Sequence, residues 1–200
     1  WDDAVTLVLT YAEIPYDVVY DKEVLDGDLL KYDWLHLHHE DFTGQFGKFY
    51  RAYRSATWYQ EEVESQNASA QIMGFQKVSE MKREVATTIR DFVLGGGFLF
   101  TMCSGTDSYD IALAAQGVDI CGPMFDGDPA DASAQSKLDF EAGLAFQDYR
   151  LEMDPMVYEF SDIDGTKDHG GIKPINDFFT LFDFSAKWDI VPTMLTQSHE

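Results

Sequence analysis

Apolar side chains recur at the spacing of an α-helical face in three stretches of the chain. Residues 1–12 form the first stretch, and the aromatic segment 46–66 forms the second. Residues 78–93 form the third, which has the most regular apolar stripe and is followed by three consecutive glycines, residues 95–97. Because glycine accepts the left-handed conformation found at helix ends, we expect that helix to stop there.

Shorter runs of strand-forming residues lie between the predicted helices. Residues 16–20 and 34–39 predict two strands, and residues 98–102 form a nearly continuous apolar run. Such a run is typical of a strand buried on both faces of a parallel sheet. A further helix is predicted over residues 109–116. This order of helices and strands predicts an α/β fold with an open, mostly parallel sheet.

The pattern weakens in the second half of the chain. Residues 122–137 and 161–177 are acidic and contain glycine or proline, so they predict surface loops. Strands are predicted around residues 149–153 and 157–160, and a last strand over residues 189–195. We expect residues 1–200 to be a single domain that is cut at both ends.

The charge balance restricts the class of partner. The chain has 36 acidic and 14 basic residues, a formal net charge of −22 at pH 7. A surface this negative repels phosphate backbones and anionic membranes, so no nucleic acid partner is expected. No stretch of about 18 apolar residues is present, so membrane insertion is not expected. The expected partner is a small-molecule substrate, and the sequence is compatible with a homo-oligomer.

Cys103 stands between the apolar run and the helix predicted after it. In an open parallel sheet, ligands bind beyond the carboxyl ends of the strands, where a sharp strand-to-helix turn lifts a side chain into the cleft. The helix N-terminus lowers a thiol pKa and binds an oxyanion through backbone N–H groups. Small residues such as Ser104 and Gly105 flank the cysteine, as a nucleophile elbow requires. The alternative interpretation is a buried, inert cysteine.

The segment from Phe92 to Asp107, FVLGGGFLFTMCSGTD, resembles the central segment of the class I glutamine amidotransferase-like superfamily, especially its ThuA-like branch. In that branch a helix, a Gly-Gly-Gly turn and a strand lead to the functional turn. The resemblance covers residues 1–120 most clearly and implies a flavodoxin-like three-layer sandwich. It also implies an amidotransferase or hydrolase reaction on an amide, ester or related carbonyl, in an exported, periplasmic protein.

The chain departs from the superfamily pattern at the partner of the nucleophile. Amidotransferases pair the cysteine with a late His-x-Glu, whereas the late histidine here, His199, is followed directly by Glu200. The chain is also similar to uncharacterised Bacteroidetes proteins labelled asparagine synthetase B. That activity is not expected, because the chain shows neither the N-terminal cysteine of its glutaminase half nor the ATP-pyrophosphate loop of its synthetase half.

Histidines and carboxylates cluster at residues 36–41, at the carboxyl end of the strand predicted beside the cysteine turn. His38, His39 and Glu40 are the candidates to act with Cys103, a histidine moving the proton. A polar strand end with hydrogen-bonded core histidines is the alternative.

The same cluster could hold a divalent cation. His36, His38 and Asp41 are the candidate ligands, because imidazoles and carboxylates bind zinc and related ions. Asp41 and Gln45 are also expected to line the cleft beside Ser104 and Gly105.

Alternating carboxylates occupy two predicted loops, an arrangement that hard cations such as calcium favour. Solvated turn residues are the alternative. The carboxylates are Asp126, Asp128 and Asp131 in the first loop and Asp162, Asp164 and Asp168 in the second, which His169 follows.

Three functions stay open on the residues alone. The first is a cysteine-dependent enzyme that requires no cofactor. The second is a non-catalytic domain that binds a ligand or partner, to which the aromatic segment 46–59 could contribute a surface. The third is a metal-dependent hydrolase that uses residues 36–41.

Overall fold

A computed structural model describes residues 4–163 of the protein. The helices and strands follow one another in the order α1 (Ala4–Tyr11), α2 (Asp21–Leu25), β1 (Trp34–Leu37), α3 (Tyr50–Tyr53), α4 (Thr57–Ile72), α5 (Val78–Leu94), β2 (Phe98–Thr101), α6 (Ser104–Ala114) and α7 (Pro123–Asp126). Single turns of 3₁₀ helix cover Asp28–Lys31, Phe46–Lys48, Ala134–Lys137 and Phe140–Ala142.

The sheet of the described part consists of β1 and β2, which are parallel neighbours. Their register aligns Trp34 with Phe98 and Leu37 with Thr101. The pairing continues by one residue, since the Met102 N–H donates to the Leu37 carbonyl over 3.0 Å. The prediction of an α/β fold with parallel pairing is confirmed at this level, and both strands end at the same edge of the sheet.

One of the three apolar clusters in the described part lies on one face of this sheet. Leu35 and Leu37 point from β1 into an apolar cluster with Val85 and Ile89 of α5 and Leu113 of α6. These side chains are buried because α5 has the apolar stripe that its sequence predicts. Helices α5 and α6 therefore fix where the two strand ends lie.

The opposite face of the sheet is open within residues 4–163. Trp34 is 53% exposed and Phe98 is 58% exposed, and their rings pack edge to face at 5.7 Å. Burial of residues 98–102 on both faces is thus not found in the described part. Helices cover only one face there, so the finer prediction of a three-layer sandwich is not confirmed.

Several predicted elements differ in the structure. Residues 16–20 form neither a helix nor a strand and have no strand partner among residues 4–163. The helix predicted over 109–116 begins earlier, at Ser104, because the turn at Cys103 already starts it. A short helix, α7, interrupts the loop predicted over 122–137, with Pro123 at its first position, where proline's fixed φ suits a helix.

The strands predicted around 149–153 and 157–160 are reduced to one antiparallel bridge, Leu151 with Ser161. Hydrogen bonds on either side of it, such as Glu152 N–H to the Phe160 carbonyl at 2.9 Å, keep the two segments paired. The last predicted strand, 189–195, lies outside the described residues. Within residues 4–163, no helix combines the length and the apolar character that crossing a bilayer needs.

Candidate functional site

Cys103 is the residue at which β2 turns into α6. Its backbone has φ 50° and ψ −139°, a conformation that L-residues rarely adopt. Holding a non-glycine residue there costs on the order of 1–3 kcal/mol, and such strain clusters at functional sites. The side chain is half-buried, so the thiol is not sealed in the interior. This geometry agrees with a nucleophile elbow.

The first turn of α6 begins directly below Cys103. The N–H of Gly105 donates to the Met102 carbonyl at 3.1 Å, and the N–H of Thr106 donates to the Cys103 carbonyl at 3.0 Å. The N–H of Ser104 makes no hydrogen bond to any described residue. It belongs to the donors that a helix leaves unsatisfied at its N-terminus, where the dipole favours negative charge.

Gly105 brings α6 against the end of β1. A Cβ at this position would lie 3.4 Å from both the His38 carbonyl oxygen and Glu40 Oε2. Glu40 Oε2 in turn accepts a hydrogen bond from the His38 N–H. The segment from His38 to Glu40 is therefore adjacent to the turn that carries Cys103, as the sequence predicted.

Ser108 of α6 forms hydrogen bonds with the backbone of residues 40 and 42, directly after the histidines. Its hydroxyl donates to the Glu40 carbonyl at 3.0 Å and accepts from the Phe42 N–H at 3.3 Å. Ser108 is fully buried, so these two bonds replace water at both backbone groups. Helix α6 thus positions Cys103 and the histidine segment together.

The three histidines share one end of β1. Because the strand ends at Leu37, His39 does not point away from its neighbour, and its ring stacks on His38 with centroids 3.8 Å apart. His36 packs on Phe100 of β2 at 5.1 Å, and its centroid is 6.3 Å from that of His38. His38 is half-buried, with its Nδ1 atom shielded from solvent, and His39 is exposed.

Asp41 organises the loop that follows. One carboxylate oxygen accepts from the Thr43 N–H at 2.7 Å and from its hydroxyl at 2.6 Å, and the other accepts from the Gly47 N–H at 2.9 Å. Gln45 is only 3% exposed and donates through Nε2 to the Ile120 carbonyl at 3.0 Å. A side chain this buried does not line a cleft, so the predicted position of Gln45 is not found. Asp41 and Gln45 both stabilise the loop instead.

Metal ligation by His36, His38 and Asp41 finds no convergent donor set. Among residues 4–163, donor atoms of three such residues lie within 4.8 Å of one another at one place, Asp119, Cys121 and Asp126. The Cys121 thiol there is fully buried, burial raises its pKa, and it donates to the Thr43 carbonyl at 3.2 Å.

A lysine already neutralises this acidic group. Lys77 Nζ lies 2.6 Å from Asp119, 3.0 Å from Asp126 and 2.6 Å from Asp128. Burial opposes the charged amine, but the hydrogen bonds to the three carboxylates outweigh it and raise the pKa of Lys77. The ammonium therefore stands where the acidic loop was predicted to hold a hard cation.

The other carboxylates of the two predicted acidic loops either bind protein groups or lie outside the described residues. Asp131 accepts from Ser133 and pairs with Lys137, which lowers the pKa of its carboxyl. Asp162 accepts from the Arg150 N–H at 2.6 Å. The remaining candidates, Asp164, Asp168, His169 and His199, lie outside the described residues.

Three features of the site were not predicted from the sequence: the bridging role of Ser108, the close approach of Gly105 to Glu40, and the Lys77 ion cluster. Each joins residues more than 40 positions apart, and no local spacing signals such contacts. The small residues Ser104 and Gly105 after Cys103 were the one local signal that a close backbone approach occurs at this turn.

Three comparisons with known proteins found no match. No protein-family model, no curated protein and no solved structure matches this chain.

Proposed function

We propose that Cys103 is the nucleophile of a hydrolase or amidotransferase-like enzyme that acts on an amide, ester or related carbonyl. The observation that carries this proposal is the strained turn at Cys103, with φ 50°, at the carboxyl end of β2 and the N-terminus of α6. The resemblance of residues 92–107 to the class I glutamine amidotransferase-like superfamily supports the same assignment.

The reaction follows from the groups at the turn. The Cys103 thiolate attacks the carbonyl carbon and forms a C–S bond, while the carbonyl oxygen takes the negative charge. The free N–H of Ser104 is placed to donate to that oxygen. The carbonyl re-forms, the C–N or C–O bond breaks, and the leaving amine or alcohol takes from a histidine the proton that this histidine accepted from the Cys103 thiol. Water, or another nucleophile, then gives a proton to the histidine and attacks the thioester carbon. The C–S bond breaks, and Cys103 leaves as a thiolate.

His38 and His39 are the proton carriers on this proposal. Both lie at the end of β1, next to the α6 N-terminus, and Glu40 holds the backbone of His38. His199 stays a candidate from the sequence.

Selective alkylation tests the proposal, because Cys121 provides an internal control. Cys103 is half-buried and Cys121 is fully buried. Native protein treated with iodoacetamide at neutral pH should be modified at Cys103 only, and faster than free glutathione, since the helix N-terminus stabilises the thiolate. Peptide mass spectrometry after a time course gives both rates.

A burst assay with activated esters and with glutamine tests the chemistry. Wild type and Cys121→Ser should release leaving group in a burst that matches the enzyme concentration, whereas Cys103→Ser and Cys103→Ala should show none. Ligand binding without turnover, unchanged in Cys103→Ala, would instead establish a non-catalytic binding domain. Slow labelling of Cys103 together with turnover by Cys103→Ala would refute the proposal.

A further inference from the structure

Four aromatic rings meet on the surface formed by α3, α4 and the turn before residue 159. This aromatic patch consists of Phe49, Tyr53, Trp58 and Tyr158. Phe49 is central, with ring centroids 5.8 Å from Tyr53, 5.9 Å from Trp58 and 5.9 Å from Tyr158. Tyr53 is 43% exposed, Trp58 48% and Tyr158 48%, so each outer ring packs on a neighbour and presents the rest of its surface to solvent.

Two arginines flank the aromatic patch. Arg51 Nη1 lies 3.5 Å from the Met156 carbonyl, and Arg54 donates to the Arg51 carbonyl at 2.8 Å. The Arg54 guanidinium also lies over the Tyr50 ring at 5.8 Å. A guanidinium over an aromatic ring can still bind a carboxylate through the N–H donors along its edge.

These arginines carry positive charge on a strongly acidic chain. Acidic residues outnumber basic ones by 36 to 14, and several cations pair with carboxylates, as Lys22 does with Asp26 and Lys82 with Asp21, whereas Arg83 donates to the Val118 carbonyl. Neither Arg51 nor Arg54 has a carboxylate within 4.0 Å among the described residues. Within residues 4–163, two neighbouring positive charges are therefore not neutralised by a carboxylate.

We propose that the aromatic patch, with Arg51 and Arg54, binds a segment of a protein partner that carries carboxylates beside an apolar side chain. Trp, Tyr and Arg are the residues that dominate the binding energy of protein interfaces. The arginines select carboxylates by charge and by bidentate geometry. A polyanion such as nucleic acid or a sulfated glycan is disfavoured, because the net charge of −22 repels it beyond this local site.

Selection of peptides on the intact protein tests this proposal. A display library of random linear peptides is selected on wild-type protein, and the enriched peptides are synthesised for affinity measurement. We expect them to carry Asp or Glu next to an apolar residue. Binding should weaken as salt rises from about 50 mM to about 500 mM, because exposed charge pairs are screened.

Charge reversal locates the site. The double variant Arg51→Glu/Arg54→Glu should lose roughly tenfold or more in affinity, and Trp58→Ala should do the same. Arg150→Glu and Trp34→Ala change residues of the same kinds elsewhere on the surface and should bind as wild type. Both arginines are exposed, so the double variant keeps the test open even if Trp58→Ala does not fold.

Four outcomes would overturn the proposal. They are enrichment of no peptide, enrichment of peptides without acidic residues, equal binding to the double variant, and binding of heparin oligosaccharides in preference to peptides.

Discussion

Replacement of Lys77 by methionine removes a charge that three carboxylates share and retains most of the apolar stem. The Lys77 side chain is 22% exposed, and the side chain of Asp126 only 8%. A surface ion pair contributes about 0.2–1 kcal/mol, whereas removing one partner of a buried pair costs about 3–5 kcal/mol. The cluster lies between these limits, so Lys77→Met should lower the free energy of unfolding by about 2 kcal/mol.

Urea unfolding followed by far-ultraviolet circular dichroism at pH 7 measures this loss. In a domain of this size it corresponds to a fall in Tm of roughly 4–8 °C. Lys137→Met is the matched control, because Lys137 pairs with Asp131 on the open surface and its loss should shift the unfolding midpoint far less than the loss of Lys77. Adding Asp126→Asn to Lys77→Met should restore part of the stability, since it removes the carboxylate that is left buried.

The pH dependence of Lys77→Met has a definite sign. Burial already raises the pKa of Asp126, and loss of Lys77 should raise it further. A carboxyl whose folded pKa exceeds its unfolded pKa destabilises the protein where it is ionised, and this penalty fades as pH falls through the folded pKa. The difference from wild type should therefore shrink below about pH 5. A variant within about 0.5 kcal/mol of wild type at pH 7, or no recovery with Asp126→Asn, would refute the reasoning.

The structure supports three further predictions. Asp110 is 1% exposed and accepts hydrogen bonds from three successive backbone N–H groups, residues 144–146, so Asp110→Asn should cost about 2–4 kcal/mol in urea unfolding. Gly44 has φ +82°, and a Cβ there would lie 2.7 Å from the backbone of Ser79, so Gly44→Ala should lower stability by about 3 kcal/mol. Gly105→Ala meets only ordinary contacts and should unfold like wild type; equal effects of the two alanines would contradict this distinction. Burial raises the pKa of Tyr59 to about 12, so Tyr59 ionises at a lower pH in the unfolded chain than in the folded protein. The urea midpoint of wild type should therefore decrease as the pH is raised from about 10 to about 12, and it should decrease less steeply in Tyr59→Phe.

The local elements that the sequence predicts well are those with one strong signal. Helix α5 was expected over residues 78–93 and runs from Val78 to Leu94, because an apolar stripe and a glycine stop coincide. The run 98–102 and the turn at Cys103 were placed correctly for a similar reason, an apolar stretch followed by small residues. The periodicity of apolar residues determines which face of a helix or strand is apolar, and that face is buried against another element of the fold.

Elements with weak or competing signals were placed less well. Residues 16–20 have strand composition, but they have no strand partner among the described residues, and β propensity alone does not hold a strand. Composition also could not show whether Phe98 and Phe100 are covered, since burial depends on what packs above the sheet.

The candidate site divides in the same way. Cys103 and the segment from His38 to Glu40 could be brought together from sequence, because parallel neighbours end at one edge of a sheet. The internal role of Gln45 could not, since its acceptor, the Ile120 carbonyl, is 75 positions away.

The alignment of Trp34 with Phe98 has a consequence for how the molecule assembles. The two strands are about 60 residues apart, and closing a loop of that length costs about 4 kcal/mol of chain entropy before any contact repays it. Helices α4 and α5 lie within the loop and shorten it when they form, so they should be structured before the strands meet. The turn at Cys103 then becomes ordered only late in folding, and a ribosome-bound chain that ends before β2 would hold the histidines without a thiol beside them.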